Sequence, residues 1–342
     1  MKRIGDLYSQ IISLDNLFLA DRNARKGKQN TYGVRLFDRN RIDNLLSLQE
    51  QLRNHTYKTS EYSTFTIYEP KERIIYKLPY FPDRIVHHAI MNIMEPIWVS
   101  IFTEDTYSCI KGRGIHLAAR RVKKALMNNP NETAYCLKID IRKFYPSVDL
   151  EIMKKIVRRK VKDKDLLILL DEIIDSSDKG IPIGNYLSQY FANLYLAYFD
   201  HWVKEDLKVK YYWRYADDMV FLSDDKQYLH DIMIKIRAYL RDRLKLKVKP
   251  NYQVFPVDSR GIDFVGYKFF HTHTLLRKSI KKSFCRKIAK IKKRKDKLSD
   301  KEKKMQLCSW YGWAKHADCR NLLNKLKREI GYEEDSFERS RT

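Results

Sequence analysis

Apolar residues recur at helical spacing in two N-terminal stretches: Ile4, Leu7, Ile11, Leu14 and Leu17 within residues 3–21, and Ile42, Leu45, Leu46 and Leu52 within residues 36–52. Two amphipathic helices are predicted, joined by the basic run RNARKGKQNTYG. Alternation then takes over: Thr64-Phe-Thr-Ile-Tyr68 and residues 73–78 read as two strands, with a turn at 69–72. A buried-looking helix follows at residues 83–94, where His87 and His88 read as packing residues. Residues 107–114 form a glycine-containing basic loop of a kind that often binds nothing. Residues 134–140 are an apolar strand ending in Asp140. Helical periodicity resumes over residues 150–177, breaks at Gly180-Ile-Pro-Ile-Gly184, and returns in a long helix over 190–207 with a Phe191, Leu194, Tyr195, Tyr198, Trp202 packing stripe. Further along, 229–244 reads as an amphipathic helix, Lys245-Leu-Lys247-Val-Lys249 as a basic edge strand, and 262–270 as a hairpin with an apolar face. Leu307, Trp310, Trp313 and Ala317 are expected on one core-forming face of a closing helix.

One stretch does not fit an ordinary pattern. In YYWRYADDMVFL two adjacent carboxylates, Asp217 and Asp218, sit inside an apolar run of strand-forming residues. Like charges repel and burial disfavours both ionised forms, so a compensating cation is expected. The competing reading is a solvated Asp-Asp turn. Asp140 closes an apolar strand beside Phe144, Tyr145 and Pro146, a common setting for a metal ligand above a sheet, with a strand-terminating cap as the lesser alternative. Together the three carboxylates are a plausible inventory for two magnesium ions about 3.5–4 Å apart.

Composition sharpens the partner class. The 342 residues carry 68 Lys and Arg against 43 Asp and Glu, a net charge of +25, which points first to nucleic acid and second to an anionic membrane surface. Residues 277–304 hold fifteen Lys or Arg against three acids, a helical basic face suited to tracking phosphates. Arg73, Lys77 and Arg84 are further phosphate-binding candidates, with ordinary solvated charge as the alternative. With 44% hydrophobic residues the chain is globular, and no signal peptide or membrane-length apolar run is present, so a soluble intracellular protein is expected. The five scattered cysteines imply free thiols, mostly buried, and His271-Thr272-His273 a surface turn.

Taken in order, these segments resemble the reverse transcriptases over about residues 3–332. LKIDIRKFYPSVD is similar to the palm motif whose first Asp binds both metals, YADD to the YxDD motif 77 residues after Asp140, and IDFVGY to the hairpin that grips the primer. The resemblance implies an α+β right-hand polymerase with an antiparallel palm sheet backed by helices: fingers at 1–106, palm at 107–270 with a helical fingers insertion near 150–178, and a basic helical thumb at 271–342. It also implies two-metal nucleotidyl transfer. Asp140 and Asp217 would hold two Mg2+ ions, with Asp218 assisting and Mn2+ able to substitute; dNTPs are the substrates. Tyr145 matches the steric gate, Arg73 the triphosphate clamp and Lys247 a general acid for pyrophosphate. Ile183, Gly184 and Gln189 line the nucleotide site. Phe264, Gly266 and Tyr267 form the primer grip, and Lys281, Lys282, Arg286, Lys290 and Lys293 hold RNA–DNA duplex.

The loop at 180–189 narrows the resemblance. Pro182-Ile183-Gly184, then Ser188-Gln189 and Phe191-Ala-Asn193, replace the Pro-Gln-Gly expected of retroviral and group II intron enzymes. The pattern is similar to reverse transcriptases of diversity-generating retroelements, which copy a template RNA with frequent errors at adenines; Leu187 before Ser188 departs from their usual IGxxTSQ. The TIYEPK stretch at 66–71 and SWYGWAKHADCRNLL fit the same group, and on this resemblance no RNase H, endonuclease or maturase extension is expected. Ile183 in place of Gln is expected to loosen control of the templating pair. Template RNA and a pentameric basic accessory variability protein are the partners implied, without a membrane, in a bacterial or phage-encoded cytoplasmic setting. The alternatives are a reverse transcriptase of an antiviral defence system and a non-catalytic RNA-binding protein on a polymerase scaffold. The three carboxylates and Tyr145 argue against the latter.

Overall fold

The computed structural model describes residues 2–68, 72–294 and 297–330. The expected turn at 69–71, which includes part of TIYEPK, and the last residues of the expected thumb lie outside them. Helices and antiparallel sheets are mixed, as the α+β expectation requires. The chain divides into two compact units that interleave along the sequence: residues 1–110, 140–209 and 234–250 form the first, and residues 111–139, 210–233 and 251–342 the second.

In the first unit the N-terminal periodicity is split into four helices, Tyr8–Ile11, Leu14–Ala24, Tyr32–Asp38 and Arg41–Arg53. Ser13 makes the first break by capping the second helix, its hydroxyl accepting from the Asn16 N–H at 3.3 Å. Fully buried Asp21 is satisfied by Arg25, Arg41 and the Tyr80 hydroxyl, so a charge that would be costly alone is paired on several sides. Strands β1 (Ser63–Ile67) and β2 (Arg73–Lys77) pair antiparallel, Phe65 opposite Ile75. The helix Ile85–Val99 buries Ile85, Val86, His87, Ala89, Ile90, Met91 and Met94. The long helix forms at Tyr186–His201, and its polar residues are anchors: Asn193 donates to the Ser108 carbonyl at 2.7 Å, and Asp200 accepts from Thr106 at 2.9 Å.

The second unit holds a four-stranded sheet in the order β4-β5-β3-β6, from β3 (Tyr135–Asp140), β4 (Tyr211–Tyr215), β5 (Asp218–Ser223) and β6 (Gln253–Pro256). Only β3's last residue, Asp140, is assigned to the first unit. A three-stranded sheet follows: β7 (Ile262–Phe264), β8 (Tyr267–Phe269) and β9 (Thr274–Leu276). The basic C-terminal helices, Lys278–Lys292, Asp300–Ala314 and Arg320–Ile330, surround their own core of Phe284, Ile288, Ile291, Leu307 and Tyr311. Trp310 stacks on Phe284 in that core, but the helix ends at Ala314, leaving Ala317 beyond it. Trp313 packs against Tyr267 instead.

Two local expectations are corrected. Residues 245–249 form a single bridge, Ile141 to Val248, because the backbone turns to φ +51 at Lys245 and ends the extended run. All five cysteines are free as expected, but only Cys136 is buried where most were expected to be, the others lying on loops or on solvent-facing sides of helices; His271 sits in a turn with its ring 2.8 Å from Asp258.

Candidate active site

The acidic hairpin is built as its residues dictate. Aromatic and β-branched side chains of β4 and β5 are buried in register from Tyr211 opposite Leu222 to Tyr215 opposite Asp218, leaving Ala216 and Asp217 as a two-residue loop. Ala216 takes φ +54, a conformation more usual for glycine. It is held there by fully buried Arg214, whose Nη1 donates to the Ala216 carbonyl at 2.9 Å. Asp218 then opens β5, which lies beside β3 in the sheet order.

Both strand-end acids carry lysines that inspection of the motifs alone did not single out. In the second unit Lys138 Nζ is hydrogen-bonded to Asp218 Oδ1. In the first unit Lys249 Nζ lies 2.5 Å from Asp140 Oδ2, and its backbone N–H donates to the Asp140 carbonyl at 2.9 Å. The other oxygen, Asp140 Oδ1, is buried with no hydrogen-bond partner. Among the described residues no three His, Cys, Asp or Glu side chains gather closely enough to hold a metal ion. The orphaned Asp140 Oδ1 is a hard oxygen donor of the kind Mg2+ takes.

Elsewhere in the first unit the expected nucleotide-site residues are tied to one another through the backbone. Tyr145 is half-buried, and its carbonyl accepts from the Ile181 N–H at 3.0 Å. The loop's close approach requires Gly180, where a Cβ would lie 2.3 Å from the Tyr145 oxygen. The Ile183 carbonyl accepts from the Tyr76 N–H of β2 at 2.7 Å, so the loop is seated on the strand that Arg73 opens. Arg73 is exposed, as are Gly184 and, on the first turn of its helix, Gln189.

Lys247, the expected general acid, is exposed. It lines a cleft of about 570 Å³ with Arg142, Lys143, Lys179 and Lys245, and Lys249 rather than Lys247 reaches Asp140. Arg84 is half-buried and donates to the Ala24 carbonyl at 3.2 Å, so it is partly structural. Burial, then the Arg84 and Lys77 charges, lower the Lys28 pKa, a crowding of cations that an anion would relieve; the polar connection at 22–33 hid Lys28's place in it.

The hairpin read as a primer grip forms, but Phe264 and Tyr267 are fully buried, since alternation turns Ile262, Phe264, Tyr267 and Phe269 inward and Asp263 outward. Their side chains pack beneath the turn. Val265 at φ +43 and Gly266 at φ +88 make that turn, and a Cβ on Gly266 would strike Trp313 at 2.3 Å. Lys281, Lys282, Arg286, Lys290 and Lys293 are all exposed, and their helix buries Phe284, Ile288 and Ile291. No helix among the described residues is long and apolar enough to cross a membrane.

Comparison with known proteins places the chain among its relatives. The chain is 26% identical over 234 residues to protein YkfC of Escherichia coli K12, covering 56% of this chain and 61% of that protein. It is 24% identical over 286 residues to the retron Ec73 reverse transcriptase of Escherichia coli, covering 77% and 82% respectively. A telomerase from Candida tropicalis, solved with a TWJ fragment of telomeric RNA, is similar at 12% identity and a TM-score of 0.49, over 85% of this chain and 59% of that one. The chain thus spans less than two thirds of YkfC. Residues 68–269, well over half of the chain and containing Asp140, Asp217 and Asp218, match the family described as reverse transcriptase (RNA-dependent DNA polymerase), and the chain belongs to that family.

Proposed function

We propose that the protein is an RNA-directed DNA polymerase that copies a retroelement template RNA with frequent errors at adenines. The observation that carries the polymerase reading is the buried, unpartnered Asp140 Oδ1 at the end of a strand whose sheet neighbour opens with Asp218. Asp140 and Asp217, with Asp218 assisting, are the residues that would hold two Mg2+ ions. Such ions supply activation of the primer 3′-hydroxyl and neutralise charge on the leaving pyrophosphate. Arg73 holds the triphosphate, Tyr145 excludes a ribose 2′-hydroxyl, and the exposed face of the Lys278–Lys292 helix carries duplex phosphates. The error-prone reading rests on Ile183-Gly184 and Ser188-Gln189, where an aliphatic side chain stands in place of the amide that would fix the templating pair. On the same reading the partners are the element's RNA and a pentameric basic accessory protein.

A second reading, a reverse transcriptase of another bacterial lineage such as a defence system, is favoured by the retron relative that covers most of both chains. Primer extension on an RNA template with Mg2+ and dNTPs, with the products sequenced, tests both levels. Asp217→Asn combined with Asp218→Asn is expected to abolish extension, and surviving activity would sink the catalytic assignment. An excess of errors at template adenines that Ile183→Gln reduces is expected of the retroelement enzyme. An error rate unchanged by Ile183→Gln refutes the role given to that loop.

A further inference from the structure

Lys138 is a charged side chain that the mechanism above does not use. It lies on β3, two residues before Asp140, so strand alternation sets both on one face of the sheet. The side chain is 19% exposed. Two groups meet its amine: Asp218 Oδ1, by a hydrogen bond, and the Phe264 ring, whose centroid is 4.7 Å away. Burying an amine is unfavourable unless it is paired, and here the pairing combines a carboxylate with an aromatic face. Phe264 is itself fixed: it is fully buried and pairs with Tyr267 across the Val265-Gly266 turn, which Trp313 backs. The amine is therefore a junction between the acidic hairpin and the β7–β8 hairpin.

We propose that Lys138 is a positioning residue that holds Asp218 against the β7–β8 hairpin and neutralises it, so that Asp218 is withheld from cation binding until Lys138 releases it. The proposal rests on the polymerase reading for its consequence in catalysis, but the lysine–carboxylate coupling stands apart from it. Without Lys138, Asp218 loses that positive charge beside Asp217 and attracts a divalent cation more strongly, while losing the contact that sets its orientation. Arg at this position retains a cation for both the carboxylate and the ring.

The test is a cation titration of the full chain alongside primer extension, on the parent, Lys138→Met, Lys138→Arg, Asp218→Asn and the Lys138→Met/Asp218→Asn double variant. Mn2+ binding is followed by the loss of its free-ion electron paramagnetic resonance signal. Lys138→Met is expected to tighten Mn2+ binding several-fold, to do so no longer in the Asp218→Asn background, and to lower kcat at least tenfold with the dNTP KM within twofold. Lys138→Arg is expected to restore most of kcat. Unchanged Mn2+ affinity in folded Lys138→Met, or the same change with and without Asp218→Asn, overturns the proposal. So does a kcat loss that Lys138→Arg fails to rescue. An inactive parent refutes the polymerase reading instead, and the Mn2+ cycle still decides whether Lys138 restrains Asp218.

Discussion

Replacing Gly184 by Ala tests whether the loop at 181–184 depends on close seating against β2. Gly184 has φ +123, and a Cβ there would lie 2.4 Å from the Tyr76 carbonyl oxygen and 2.9 Å from Ile75 Cγ2. Restoring an ordinary contact requires loop and strand to part by about 1 Å, which stretches the 2.7 Å bond from the Tyr76 N–H to the Ile183 carbonyl beyond hydrogen-bond range. The backbone conformation costs about 1–3 kcal/mol for an L-residue, and the lost bond about 1 kcal/mol more. The loop can also unseat locally, which caps the global loss at about 2–4 kcal/mol. Since the strand opens with Arg73 and the loop carries Ile183, a misplacement of this size is expected to lower kcat/KM for dNTP by about 100-fold. Urea unfolding and single-nucleotide primer extension measure the two effects. Gly112→Ala is the control: at φ +77 with no atom near its Cβ, it reports backbone strain without the clash. A Gly184→Ala variant as stable as the parent and within twofold in kcat/KM would refute the reasoning.

Two further outcomes follow from individual contacts. Asp163 accepts from the N–H groups of Leu7 at 2.6 Å, Tyr8 at 2.9 Å and Leu166 at 3.2 Å, so Asp163→Ala is expected to cost about 1–2 kcal/mol or somewhat more in urea unfolding at pH 7. Burial tends to raise its pKa, but the hydrogen bonds from Tyr8, Leu166 and Leu7 prevail and lower it. This stabilisation is present above the unfolded value of about 3.9 and lost as pH falls through the lower folded value, so parent and variant should converge as pH is taken from 5 toward 3; a constant gap contradicts the assignment. Replacing Lys281, Lys282, Arg286, Lys290 and Lys293 by Ala is expected to flatten the log–log salt dependence of RNA–DNA duplex affinity by up to about 4.5, the value for five phosphate contacts. An unchanged slope in a filter-binding titration would remove this face from the interface.

Elements whose signal is local were legible before the fold was known. The β1–β2 and β4–β5 hairpins follow from alternation and turn residues within a few positions, and the buried Phe191, Leu194 and Tyr195 from the periodicity of the long helix, which begins four residues earlier than that periodicity shows. What periodicity cannot register is a break that keeps the same face, which is how the breaks near Ser13 and Asn40 escaped notice. Nor does a motif tell which of its side chains point inward. Phe264 and Tyr267 belong to the hairpin expected to grip a primer, and the three-stranded sheet buries both side chains. Lys138 and Lys249 were hidden for a different reason: each acquires meaning only from an acid brought beside it by the fold, 80 and 109 residues away in sequence. Lys247, which stands out equally well in the Lys-Leu-Lys-Val-Lys run, points to the basic cleft instead.

The basic balance of the chain therefore serves two ends. On the Lys278–Lys292 helix the cations are exposed and available to phosphates, whereas Lys138, Lys249 and Arg214 are turned to the acidic strand ends and the hairpin tip. Adjacent carboxylates in an apolar hairpin looked untenable without a cation, and the fold supplies side-chain cations where one was expected from solution. Arg214 holds the tip carbonyl while Ala216 keeps a glycine-like backbone, so the turn is set by the protein rather than by a ligand. In the folded chain Asp218 and Asp140 each already meet a lysine. On the function proposed above, loading a divalent ion there exchanges a positive charge of the protein for one from solution, and Lys138 and Lys249 set the cost of that exchange.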